Sequence, residues 1–107
     1  SGLIWVPRRA GSGPLPTVGQ EIVVHYEGRL IDDTVFDSSY TRNDPLTMRV
    51  GVGDAIPGWD EALMHMRKGG KRTLIVPHWL AYGVNGRQPH IPPRATLVFD
   101  LELLEIR

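Results

Sequence analysis

Cysteine is absent from this chain, which excludes disulfides, thiol chemistry and cysteine-based zinc sites without fixing a compartment. No apolar stretch approaches the ~18 residues that a membrane-spanning helix requires. Neither charge is in excess: Lys+Arg and Asp+Glu both number 12, and the formal net charge is zero. A nucleic-acid binder would show a basic excess or stripe, so the expectation is no nucleic-acid partner and no membrane partner. Aromatic residues make up only 7% of the 107 residues, so their positions carry information. The length suits one modest core, and residues 1–107 read as a single domain. The first residue is Ser1, not methionine. The expectation is a chain processed or cut from something longer, with any targeting segment removed. A soluble monomer is expected; the sequence leaves the compartment open, with the cytoplasm favoured over secreted or organellar locations.

One stretch organises what is present. From Ala55 to Met66 the sequence predicts the only good helix, with Pro57 in the first turn, where its missing N–H costs nothing. Asp60 and Glu61 sit early, where the helix dipole favours negative charge. Trp59, Leu63 and Met66, with Ala62 beside them, form an apolar stripe. Arg67 and Lys68 fall in the predicted last turn and Gly69-Gly70 stops it. A short helix with a tryptophan in its first turn needs a sheet to bury it.

The remaining segments read as that sheet. Leu3 to Val6 predicts a short strand closed by Pro7. Glu21 to Leu30 predicts a longer one, with Ile22, Val24 and Tyr26 on one face and Val23 and His25 on the other. Asp32-Asp33 reads as a turn, Val35 to Asp37 as a return strand, and Ser38 to Pro45 as a polar loop. Leu46, Met48 and Val50 alternate. Arg72 to Val76 and Thr96 to Ile106 predict two further strands. Between those two, Pro77 to Ala95 is a long connection holding four prolines and two glycines, and a loop of that length in a small domain is usually functional. Strands without an alternating βα pattern mean an α+β fold with a mostly antiparallel sheet. Its inward faces would carry Ile22, Val24, Tyr26, Leu74, Val76, Leu97, Phe99 and Leu101, closing over the Trp59 side of the helix.

The familiar catalytic patterns fail one by one. Gly51-Val52-Gly53 opens like a dinucleotide fingerprint, but Ile56 stands where the third glycine belongs and no βαβ unit surrounds it. His25, His65, His78 and His90 show no metal-ligand spacing and read as surface or loop residues; no metal and no cofactor are expected. Ser38, Ser39 and Asp37 could be combined with a histidine, but no G-x-S-x-G elbow exists. Anion binding at the Gly53-to-Gly58 helix start is not expected either. What is left is an aromatic and aliphatic group, Tyr26, Phe36, Ile56, Trp59, Tyr82 and Phe99. It reads either as plain core or as the lining of a pocket, since the polar tips of Asp37 and Tyr82 adjoin apolar walls.

The runs Val24-His25-Tyr26, Phe36-Asp37-Ser38-Ser39, Ile56-Pro57-Gly58-Trp59, Ala81-Tyr82-Gly83 and Ile91-Pro92-Pro93, followed by Ala95-Thr96-Leu97-Val98-Phe99, closely resemble the FKBP family of peptidyl-prolyl cis-trans isomerases. The blocks lie in family order across nearly the whole chain. The resemblance implies a half-barrel antiparallel sheet wrapped around one short helix, acting on proline-containing peptides and unfolded proteins. It also implies that macrolides such as rapamycin and tacrolimus share the substrate cavity. No large insertion interrupts Tyr82 to Thr96, so the extra chaperone domain of some bacterial relatives is not expected. By resemblance Trp59 is the floor beneath the prolyl ring, and Tyr26, Phe36 and Phe99 are walls. The Ile56 N–H and the Tyr82 hydroxyl hold carbonyls, and Asp37 faces the reacting amide, restrained by Arg42 and Tyr26. Asp37, Tyr82, Phe99 and Tyr26 are the implied catalytic residues; Phe36, Leu46, Ala55, Ile56, Trp59, His90, Ile91 and Arg42 complete the binding site. Leu46, Ala55, Arg87 and His90 depart from common family choices, at the rim more than the floor. On this reading Phe99→Ala loses most activity while the domain stays folded. The competing reading is a non-catalytic binding module of the same fold.

Overall fold

The computed structural model describes residues 1–107. Six strands form one antiparallel sheet: β1 (Ile4–Arg9), β2 (Glu21–Leu30), β3 (Val35–Ser38), β4 (Leu46–Arg49), β5 (Lys71–Val76) and β6 (Leu97–Ile106). The order is β1-β5-β6-β2-β3, with β4 also on β2. All of the expected inward residues are buried, and together with Met48, Val50, Ile91 and Leu103 they surround Trp59, Ala62, Leu63 and Met66. The expected α+β half-barrel around a short helix is the observed fold.

β2 borders two strands on one side. Its first half, Glu21 to Val24, pairs with β4, and its second half, Glu27 to Arg29, pairs with β3. His25 and Tyr26 face the gap. There the chain does not run as the expected polar loop: Ser39–Arg42 forms one helical turn, α1. Ser38 caps it by accepting from the Thr41 N–H, and Asn43 leaves it in the left-handed conformation at φ 51°, the usual chemistry of helix ends. The fully buried Ser39 hydroxyl takes the place of a strand partner. It accepts from the Tyr26 N–H at 2.7 Å and donates to the Tyr26 carbonyl at 3.1 Å.

The main helix, α2 (Pro57–Leu63), is shorter than the sequence predicts. Beyond Leu63 the bonds tighten to three-residue steps, His65 N–H to Ala62 O and Met66 N–H to Leu63 O, turning Met66 into the core. Arg67 and Lys68 therefore lie outside the helix rather than in its last turn. The carbonyl of His65 is taken up by Arg72 Nη2 at 2.9 Å. Asp60 does more than complement the dipole, since its carboxylate accepts from Gly51 N–H and Gly53 N–H at 2.9 and 3.0 Å. Gly58 lets the helix approach β5, because a Cβ there would lie 2.7 Å from Val76 Cγ1.

Two further differences concern β1 and His25. β1 does not stop at Pro7; it continues to Arg9 across a register shift, which an outer strand tolerates because one row of its N–H groups faces solvent. His25 is no free surface residue: it is half-buried, stacked on Tyr40 at 4.5 Å, with Nδ1 2.8 Å from Ser39 Oγ.

Candidate active site

The concave side of the sheet and the first turn of α2 bring the aromatic residues together. Trp59 of α2, 4% exposed, meets Tyr26 of β2 edge-on at 4.9 Å and Phe99 of β6 at 5.3 Å. Phe36 of β3 stands edge-on to Phe99 at 5.7 Å. Such edge-to-face pairs favour one mutual geometry beyond simple burial. The two phenylalanines fit only because residue 28 is glycine. A Cβ on Gly28 would lie 2.5 Å from Phe36 Cζ and 2.8 Å from Phe99 Cε1.

These rings do not fill the space above the indole. A hollow of about 170 Å³ remains, lined by Tyr26, Phe36, Asp37, Leu46, Asp54, Ala55, Ile56, Trp59, Tyr82, Arg87 and Phe99. An apolar cavity of about 150 Å³ takes a benzene molecule, so this hollow has room for a five-membered ring. A second hollow of about 260 Å³ adjoins it, lined by Phe36, Asp37, Tyr82, Arg87, Gln88, His90 and Ile91. Phe36, Asp37, Tyr82 and Arg87 belong to both and mark the junction.

Asp37 is fixed from two sides. The Tyr26 hydroxyl donates to Oδ2 at 2.6 Å, and Arg42 Nη1 donates to Oδ1. Arg42 Nη2 also donates to the Tyr26 oxygen at 3.0 Å, closing a triangle. Burial pushes the Asp37 carboxyl up, but the hydrogen bonds from Tyr26 and Arg42 and the guanidinium charge outweigh it, holding the group below its ordinary value. The Tyr26 phenol shifts the other way, raised by burial and by donating to the carboxylate. A carboxylate held this way is a fixed negative charge and a poor proton acceptor. Neither hollow is lined by a serine, cysteine or lysine.

Two donors remain free at the walls. The Ile56 N–H, just before α2, meets no backbone or side-chain acceptor. The Tyr82 hydroxyl has only a long 3.4 Å contact with Arg87 Nη1, which leaves its proton available. The indole N–H of Trp59 is buried without a partner, a liability of about 1–3 kcal/mol at the floor itself.

Every residue expected in the site lies in or against it, though not in one space. Nine of them line the inner hollow, while His90 and Ile91 line only the outer one. Arg42 lines neither and bonds Asp37 and Tyr26. The sequence reading missed Gly28, Asp54 and Gln88, and it noted Arg87 only as a departure. Gly28 had a signal, since a glycine inside an alternating strand marks a close approach. Asp54 and Gln88 had none.

The α+β half-barrel holds an aromatic hollow with room for a small ring beside a fixed carboxylate. The sequence model described as "FKBP-type peptidyl-prolyl cis-trans isomerase" matches residues 13–104, and the chain belongs to that family. It is 48% identical over 107 residues to the FKBP-type peptidyl-prolyl cis-trans isomerase FkpA of Escherichia coli, all of this chain aligning with 38% of that protein. It is 48% identical to an FK506-binding protein of Neisseria meningitidis serogroup B, covering 98% of this chain and 96% of the relative. The crystal structure of AtFKBP13 superposes with a TM-score of 0.94 at 43% identity, over 99% of this chain and 94% of that one. The chain thus spans little more than a third of FkpA but nearly all of the Neisseria protein.

Proposed function

We propose that this chain accelerates rotation about X–Pro bonds in peptides and unfolded proteins by holding the twisted amide in the hollow over Trp59. The observation that carries this reading is that hollow: apolar-walled, roomy enough for a prolyl ring, and edged where it meets its neighbour by Asp37, a carboxylate that Tyr26 and Arg42 keep from acting as a base.

An X–Pro amide turns slowly because resonance must be broken, against a barrier of about 18–20 kcal/mol. In the twisted state the C–N bond is nearly single and the carbonyl oxygen carries less negative charge. Water stabilises the planar, more dipolar form better, so an apolar cavity favours the twisted form in relative terms. Uncatalysed exchange takes about 10–100 s, and a 10⁴-fold acceleration needs about 5.4 kcal/mol. A neutral hydrogen bond contributes only about 0.5–1.5 kcal/mol. Most of the effect then comes from the environment and from holding the twisted conformer. In this mechanism the prolyl ring packs on Trp59 between Tyr26, Phe36 and Phe99. The Ile56 N–H and the Tyr82 hydroxyl hold substrate carbonyls, and Asp37 faces the rotating amide at the junction of the hollows.

The same cavity would take macrolides such as rapamycin and tacrolimus; the Neisseria relative's name, FK506-binding protein, supports this. Leu46, Ala55 and Arg87 line the inner hollow and His90 the outer, so they set the strength of that binding. The test is NMR exchange on a short Leu-Pro peptide, with and without a macrolide. Accelerated exchange abolished by the macrolide is the expected result. Peptide binding without acceleration would overturn catalysis and leave the binding module. Acceleration insensitive to macrolide would remove only the macrolide assignment.

A further inference from the structure

We infer that Arg87 gives this site a preference for an acidic residue directly before the proline. The inference rests on the isomerase reading above. If the prolyl ring occupies the hollow over Trp59 and the rotating amide lies at the junction by Asp37 and Tyr82, the preceding residue enters the outer hollow. Besides the phenols of Tyr26 and Tyr82, four charged or titratable side chains line these two spaces: Asp37, Asp54, Arg87 and His90. The Asp37 charge is matched by Arg42, which bonds it and the Tyr26 hydroxyl. Asp54 lines only the inner hollow, where its carboxylate accepts from the Arg49 N–H at 3.0 Å. Arg87 alone combines a position in both hollows with a charge that no carboxylate meets, since it forms none of the chain's salt bridges.

Arg87 is also held in place. Its N–H donates to the Ile91 carbonyl at 2.8 Å and its carbonyl accepts from the Ile91 N–H at 2.8 Å, and Ile91 is buried in the core. Gly86 permits this pairing, because a Cβ there would lie 2.4 Å from the Ile91 carbonyl oxygen. The guanidinium lies over the Tyr82 ring, 5.6 Å from its centroid. A cation restrained at the mouth of an apolar site attracts a carboxylate and repels an ammonium, and salt weakens both effects.

The test is kcat/KM and calorimetric Kd on peptides that differ only before the proline, carrying Leu, Glu or Lys. At low salt, Glu-Pro is expected to exceed Lys-Pro by about threefold to tenfold, the size that exposed ion pairs support. That ratio should shrink toward one in about 1 M salt, approach one in Arg87→Gln and invert in Arg87→Glu. A Glu-Pro to Lys-Pro ratio near one in the unaltered chain overturns the inference, as does a ratio that survives Arg87→Gln. Acceleration of Leu-Pro without charge discrimination defeats this inference alone. Should no peptide be accelerated, the isomerase reading fails, and the order of Kd values still decides for or against Arg87.

Discussion

The phenol of Tyr26 donates to Asp37 at 2.6 Å while Arg42 grips both residues from the far side. That triangle joins β2, β3 and α1 at the gap between β4 and β3, where β2 lacks a strand neighbour on that side. It keeps Asp37 charged to lower pH than a free carboxylate, with a consequence for acid stability. A carboxyl held low in the folded chain favours folding above its ordinary value of 3.8, and this contribution disappears as pH falls through its folded value. The stability difference between the chain and Asp37→Asn is therefore expected to be flat above about pH 5 and to narrow below about pH 4. Urea midpoints across that range measure it; a difference that widens in acid would contradict the triangle.

Ser39→Ala removes the hydroxyl that stands in for a strand at Tyr26. Two buried backbone groups then lose their partner, at a cost of about 1–3 kcal/mol. Because Tyr26 carries the restraint on Asp37, kcat/KM for the proposed X–Pro rotation is expected to fall as well. Denaturant titration and the peptide assay together check both effects.

Gly28→Ala puts a methyl group where Phe36 and Phe99 now approach. Overpacking of this kind costs about 1–3 kcal/mol, and here the displaced atoms are the walls of the site. The variant is expected to remain folded, with the aromatic NMR shifts of Phe36 and Phe99 moved and activity reduced.

Phe99→Ala is a poorer probe than the sequence reading supposes. Phe99 is 3% exposed, as deeply buried as Trp59 at 4%, so truncating either is expected to cost about 3–5 kcal/mol. Phe36 is only half-buried. Phe36→Ala should keep the fold and still lower kcat/KM at least about tenfold, equivalent to about 1.4 kcal/mol of transition-state binding. Circular dichroism at the assay temperature separates lost wall from lost fold.

The strands were legible because one face of each is buried, and burial imposes a period of two that Ile22, Val24, Tyr26 or Leu97, Phe99, Leu101 displays directly. The α2 start was equally plain from Pro57 and Trp59. Its end was not: Met66 keeps helical spacing but reaches the core through a tightened turn, and spacing alone cannot tell the two apart. α1 escaped notice because four residues hold no periodicity, though Ser38 and Asn43 are sound capping residues. The lining of the inner hollow was legible mostly through family blocks, since buried aromatics look the same in a core and in a pocket. The division into two hollows arises from how β3 and the loop before β6 meet, a relationship between segments far apart in the chain.

β1 has no strand on its outer side. An incoming strand would find no donor at Pro7, a register interrupted between Pro7 and Arg9, and two guanidiniums, Arg8 and Arg9, at the end of the ladder. Proline, irregularity and positive charge are devices that discourage edge-to-edge growth of a sheet. On the proposed reading, in which the domain meets unfolded, extended chains, its own border is thus kept from being taken as a template, and the aromatic hollow is left as the place where a visiting polypeptide is received.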